Sequence, residues 1–181
     1  MSKKILILNG SPRRNGNTSQ LVASFQKGAQ SAGHQVTEVF LDSMKLHGCK
    51  GCFGGGKDSN HPCVQRDDME KIYPFYRDAD IVVFASPLYY WNISGQLKMV
   101  IDRLFAIAEC HEDYENPKKD SVLLMAAEGN GFDETVYWYD HFLDHMGWTG
   151  LGKVLCGGVM GIGDIKGRKE LEEAETLGAS M

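Results

Sequence analysis

Apolar and polar positions follow two regimes in turn along this 181-residue chain. Short unbroken apolar runs each lead into a polar loop, and then into stretches with apolar residues three and four apart. Residues 3–8 read as a buried strand, and residues 19–28 as a helix with Leu21, Val22 and Phe25 on one face. Gly33 ends that helix, and residues 35–41 alternate as a second strand. A short helix starts near Asp67 with acids in its first turn and Ile72, Tyr73 and Tyr76 on its apolar side. Pro74 is expected to distort it. Residues 80–85 and 121–127 are further buried strands, and 152–160 a weaker fifth. Single helices are predicted over 95–108, 134–146 (closed by Gly147) and 166–177. Residues 42–65 show no period, and hold five glycines and three of the five cysteines. A loop of that length inside a compact unit is either functional or disordered.

Strands alternating with helices imply an α/β chain with a parallel sheet covered on both faces. Five strands predict the doubly wound, flavodoxin-like order 2-1-3-4-5, as a single domain over residues 1–181. Ligands of such sheets lie beyond the strands' C-terminal ends, where the order reverses between strands one and three.

A composition of 43% hydrophobic residues supports a sizeable core. The net charge of -5 argues against generic binding to nucleic acid or anionic membranes. No apolar run approaches the roughly 18 residues of a membrane span, and no signal-peptide core precedes the first strand. The expectation is a soluble cytoplasmic protein. Five cysteines are an odd number, so thiols or a metal site are more natural than a disulfide scaffold.

The loop after the first strand carries the densest chemistry. Gly10 and Gly16 let backbone N–H groups converge. Ser11, Thr18 and Ser19 offer hydroxyls, Asn17 an amide, and Arg13 and Arg14 charge, at a helix N-terminus that suits an anion. The plainer reading is an ordinary strand-to-helix turn capped by Asn17 or Thr18. The loop lacks the Gly-Lys-Ser/Thr ending of a nucleoside-triphosphate loop and the G-x-G-x-x-G of a dinucleotide fold. The strand end carries Asn9 rather than paired acids, and no cysteine stands where a phosphatase nucleophile would. After the third strand, Pro87, Leu88, Tyr89, Tyr90, Trp91 and Asn92 place three aromatics in a row where the ligand's flat end should lie. Packing of some of them into a core or an interface is the alternative.

The run from Gly10 to Thr18 resembles the phosphate loop of the NAD(P)H-dependent FMN reductase family. Ser86-Pro-Leu-Tyr-Tyr, Ser94-Gly95, Lys98 and Asp102-Arg103 resemble that family's flavin-ring loop and the helix after it. The likeness covers residues 3–105. It implies that FMN is the cofactor, its phosphate held by Ser11, Arg13, Asn17, Thr18 and Ser19. Residues Pro87 to Asn92 would line the ring, with Glu128 and Gly129 bordering it. It also implies NAD(P)H (NADH or NADPH) as co-substrate, a small-molecule acceptor such as a quinone, nitroaromatic or free flavin, and a homodimer or higher homo-oligomer. An electron carrier and a flavin-sensing binding protein are the rival readings.

Cys49, Cys52 and Cys63 resemble the loop of relatives that carry a four-iron cluster, but Gly55 stands where a third close cysteine would be. Zinc held by these thiols and His47 or His61 is chemically possible. Thiols without metal are the reading adopted. His141 and His145, four apart on a helix, are read as surface or packing residues, and no acid–base residue is assigned.

Overall fold

A computed structural model describes residues 1–181. Five strands, β1 (Lys4–Asn9), β2 (Gln35–Phe40), β3 (Ile81–Pro87), β4 (Asp120–Ala126) and β5 (Thr149–Cys156), form one sheet. Their order is β2-β1-β3-β4-β5, and every pairing is parallel. The helices are α1 (Asn17–Ser31), α2 (Met69–Asp78), α3 (Gly95–Arg103), α4 (Phe105–Ala108), α5 (Asp133–Met146) and α6 (Lys169–Ala179). No helix is long and apolar enough to cross a membrane.

The pleat divides the apolar strands between two cores. Leu6, Leu8, Val82, Phe84, Leu123 and Met125 face α2, α3 and α5, where Tyr73, Leu97 and Tyr139 meet them. Ile5, Ile7, Val83, Val122 and Leu124 face the other way, onto Leu21 and Phe25 of α1 and Ala174 of α6. On that second face α1 and α6 lie backbone against backbone. A methyl group at Gly28 would run into the Glu175 carbonyl, and one at Gly178 into the Phe25 carbonyl.

Three expected elements differ. Helix 95–108 divides at Leu104 into α3 and the short α4. The fifth strand begins at Thr149 and ends at Cys156, so residues 157–160 leave the sheet. Pro74 lies inside α2 without ending it, because Met69, Ile72, Tyr73 and Tyr76 are all buried there. A proline at that point removes one N–H donor from a short helix, and the core contacts outweigh it.

At the opposite end of the sheet from the loops, Lys119 is 7% exposed. Its Nζ donates to Ala79 O at 2.6 Å and Arg77 O at 3.3 Å, closing the end of α2. Burial pushes its ammonium down to about 8, against the opposing pull of Asp80 and Asp78. Between pH 8 and the usual lysine range the unfolded chain therefore binds a proton that the folded chain has released, so stability rises with pH there. Relative to Lys119→Met, the wild type should gain roughly 2–3 kcal/mol between pH 7.5 and 10 in urea unfolding. Parallel pH profiles of the two proteins would refute the assignment.

Candidate functional site

The loop from β1 to α1 is folded by its own side chains. The Ser11 N–H donates to Asn9 Oδ1 at 3.0 Å, the Arg13 N–H donates to Ser11 Oγ at 3.1 Å, and Ser11 Oγ donates to Arg13 O at 3.0 Å. Ser19 Oγ donates to the same Arg13 carbonyl at 3.0 Å and accepts from Asn9 Nδ2 at 3.1 Å. At Gly10 a Cβ would stand 2.6 Å from Ser94 Oγ and 2.9 Å from Leu97 Cβ. Only glycine lets the loop after β1 press this closely against the start of α3.

Helix α1 opens at Gly16 with no capping side chain. Asn17 and Thr18 are thus first-turn residues rather than caps. The N–H groups of Asn17, Thr18 and Ser19 have no acceptor within the chain, although Asn17 and Thr18 are buried. Unpaired donors at the positive end of a 15-residue helix match an anion. The two arginines diverge. Arg13 lines the pocket and donates from Nη1 to Met160 O at 3.3 Å, whereas Arg14 lies 4.2 Å over the Phe40 ring.

The pocket at this edge measures about 240 Å³. Ser11, Arg13, Asn17 and Thr18 line it from one side, Pro87, Leu88 and Tyr89 from another, with Glu128 at its border. These eight of the thirteen expected residues come together; Ser19, Tyr90, Trp91, Asn92 and Gly129 do not line it. The Ser19 hydroxyl is engaged within the loop, which leaves its backbone N–H as its unpaired donor. Asn17 enters differently from expectation. Its Nδ2 donates to Gly161 O at 2.9 Å, and its Oδ1 accepts from the N–H groups of Gly163 and Ile165 at 3.3 and 3.4 Å. The amide therefore ties the loop after β5 to α1, and the second N–H of its Nδ2 has no acceptor within the chain. That tie brings Val159 and Met160 into the pocket wall. The pair Gly157-Gly158, a strand-ending signal, could have placed them in a loop.

Residues 89–92 form a two-residue hairpin, with Tyr89 N–H to Asn92 O at 2.9 Å and Asn92 N–H to Tyr89 O at 3.1 Å. Its central residues are Tyr90 (φ 47°) and Trp91 (φ 58°). Asn-Gly is the usual occupant of such a turn, because left-handed backbone costs other residues about 1–2 kcal/mol each. Tyr90 is 94% exposed and Trp91 58%, so neither packs into the core. Thr135 Oγ1 donates to Trp91 O at 2.7 Å and fixes the turn beside α5. His141 is exposed and stacks on Tyr137, as a surface residue.

A second pocket, about 340 Å³, lies between the loop after β2 and helices α3 and α4. Cys49, Cys52 and Cys63 line it with Phe53, Phe105 and Arg103. The loop is clasped shut beneath. Arg103 Nη1 donates to Asp67 Oδ2 at 2.7 Å and His47 O at 3.0 Å, and Nη2 donates to Asp67 Oδ1 at 3.1 Å. Both side chains are almost wholly buried. Burial alone would raise the Asp67 carboxyl, but hydrogen bonds from Arg103 and from the Met69 and His47 N–H groups hold it below its usual range.

The sheet order and crossovers define a flavodoxin-like, doubly wound fold with its pocket at the switch point. A solved NAD(P)H:quinone oxidoreductase from Methanothermobacter marburgensis shares it, with a TM-score of 0.72 at 18% identity over 99% of this chain and 97% of that one. The family model for NADPH-dependent FMN reductase matches residues 3–156, and the chain belongs to that family of flavin oxidoreductases. An iron-sulfur flavoprotein of Archaeoglobus fulgidus is 30% identical over 95% of this chain and 76% of its own length. An iron-sulfur flavoprotein of Methanosarcina thermophila is 31% identical over 72% and 67%.

A cluster of the kind those names state needs four thiolates as a rule. Here three cysteines border the pocket, and no group of three ligating side chains is placed to hold one ion. Residue 55 is glycine, and a side chain there would collide with the Glu109 carboxylate. Cys110 donates to Ala106 O outside the pocket, and Cys156 is buried on the other face of the sheet. His47 and His61 face Asp67 and Glu70 at 3.3 and 3.2 Å, and neither lines this pocket. The residues present do not fit a four-thiolate cluster.

Proposed function

We propose that the chain is an FMN-dependent reductase that accepts hydride from NAD(P)H and passes electrons to a small acceptor such as a quinone, nitroaromatic or free flavin. The carrying observation is the pair of unpaired N–H groups at Asn17 and Thr18, with Arg13 beside them, facing Pro87, Leu88 and Tyr89 across one pocket. In this reading the helix N-terminus and Arg13 hold the phosphate. Pro87, Leu88 and Tyr89 present apolar surface and backbone groups to the ring. Ligand pockets usually reach about 300–1,000 Å³. This one is about 240 Å³, so FMN would extend past its mouth toward Tyr90 and Trp91. When bound, FMN supplies the two-electron chemistry, and the chain's residues bind it, orient it and leave its ring edge open.

The test is anaerobic mixing of the FMN-loaded protein with NADH or NADPH, followed by steady-state turnover with a quinone. Bleaching of the flavin band and catalytic oxidation of NAD(P)H are expected. Bleaching without turnover would indicate a carrier, and no bleaching a binding protein.

The strained, exposed Tyr90-Trp91 turn supports a homodimer that covers it. Strain of that size persists where a contact requires it. Tyr90→Asn/Trp91→Gly keeps the turn geometry and removes both rings. Light scattering should show a dimer for the FMN-bound wild type and a shift toward the 20.1 kDa monomer for the variant. Unchanged mass would exclude the turn from the interface.

A further inference from the structure

The loop after β5 lends Val159 and Met160 to the wall of the first pocket, and its own bonding bears on Arg13. The backbone laces this loop to the one after β4. The Gly158 N–H donates to Glu128 O at 3.0 Å, and the Val159 N–H donates to Ala127 O at 2.9 Å. Beyond Met160 the chain turns back on itself around one carboxylate. The Met160 and Gly161 N–H groups both donate to Asp164 Oδ2, at 3.0 and 2.6 Å, and the Asp164 N–H donates to Gly161 O at 3.3 Å. The Met160 carbonyl and the Gly161 N–H belong to one planar trans peptide unit, so they point in opposite directions. By holding that N–H, Asp164 turns the carbonyl away from itself. On that other side the carbonyl accepts from Arg13 Nη1 at 3.3 Å, the one hydrogen bond the chain makes to this guanidinium.

We propose that Asp164 is a positioning residue for Arg13, acting through the Met160–Gly161 peptide to hold the guanidinium at the anion end of the pocket. The inference rests on the reading of this pocket as an FMN site, and it concerns the phosphate alone. Arg13 is exposed, and a long side chain left free gives up rotamer freedom when it meets an anion. One already tethered gives up less. The tether is a neutral carbonyl rather than a carboxylate, so it fixes the guanidinium without cancelling its charge. A guanidinium has five N–H donors, and a single bond to Met160 leaves the others for phosphate oxygens. The Asp164 carboxylate, for its part, is occupied by two backbone N–H groups. The Asn17 amide pins the same turn from α1 through Gly161 O and the Gly163 and Ile165 N–H groups. The carbonyl that meets Arg13 is thereby fixed relative to the helix N-terminus that shares the pocket with it.

The experiment titrates the full-length apoprotein with FMN and with riboflavin, a readout independent of turnover. It compares the wild type, Asp164→Ala, Asp164→Asn, Arg13→Ala and the double variant Arg13→Ala/Asp164→Ala. Asp164→Ala should weaken FMN by about threefold or more and leave riboflavin unchanged. Asp164→Asn keeps an oxygen acceptor for the two N–H groups and should stay close to the wild type. In the Arg13→Ala background, Asp164→Ala should have no further effect, because the two residues act in series. An equal loss for both flavins would overturn the proposal, since it would mean that the pocket wall had collapsed. So would a loss that persists without Arg13, or Asp164→Asn as weak as Asp164→Ala. Tighter FMN binding by Asp164→Ala would show instead that the carboxylate repels the phosphate. A wild type that binds both flavins alike would defeat the phosphate reading and this inference with it. A wild type that prefers FMN, with Asp164→Ala unaffected, would defeat this inference alone.

Discussion

Riboflavin is expected to bind at least about a hundredfold more weakly than FMN, because charge-assisted hydrogen bonds contribute about 1.5–3 kcal/mol each and its lost phosphate would forfeit several. The donors in question are the N–H groups of Asn17 and Thr18 and the Arg13 guanidinium at the same pocket. The arginines separate by geometry. Arg13→Ala should weaken FMN by about tenfold or more, while Arg14→Ala should change little, since Arg14 lies on Phe40 instead. Fluorescence titration of the apoprotein with both flavins measures all of this. Equal dissociation constants for FMN and riboflavin would remove the phosphate from the site.

Breaking the Arg103–Asp67 clasp should cost more stability than any surface change in the chain. Arg103→Met leaves Asp67 buried without its partner, and breaking a buried pair from one side typically costs about 3–5 kcal/mol. The loop between His47 and Asp67 loses its closure at the same time, because Arg103 bonds to both ends. Replacing both partners, as Arg103→Met/Asp67→Leu, removes the stranded charge and should recover much of the loss. The pair also predicts a pH dependence. The folded Asp67 carboxyl is held below its unfolded value, so its contribution is complete above about pH 5 and declines as pH falls through the carboxylate range. Guanidinium unfolding of the three proteins at pH 7 and pH 4 tests both points. A single variant as stable as the wild type would show that the clasp contributes nothing.

The fold was legible because strands and helices carry different periods, and the strand order follows from five apolar runs separated by helical stretches. The loop after β1 was legible for the same kind of reason: glycines, hydroxyls and arginines sit between a buried run and an amphipathic one. Asn17 shows the limit. Its residue type fits a phosphate, but its partners Gly161, Gly163 and Ile165 lie more than 140 positions away, and no local pattern announces such a pairing. Tyr90 and Trp91 show another. Their type suggested a ring-facing surface, but the left-handed backbone that leaves them exposed next to the pocket-lining Tyr89 is a property of the closed hairpin, which no local pattern announces. Arg103 was legible only as part of a resemblance. Its burial depends on the distant Asp67, which periodicity marked as a helix start.

The backbone-on-backbone contact of α1 and α6 bears on where this chain can be divided. The family match stops at residue 156, which would invite a minimal version ending there. Such a version would strip the cover from Phe25 and Ala29 and remove the partners of the Asn17 amide. The helix whose first turn offers its N–H groups to the pocket would then lose its backing along its length and its tether at its start. The final 25 residues act as a buttress, and the pocket at the sheet's far edge rests on them as surely as on its own loop.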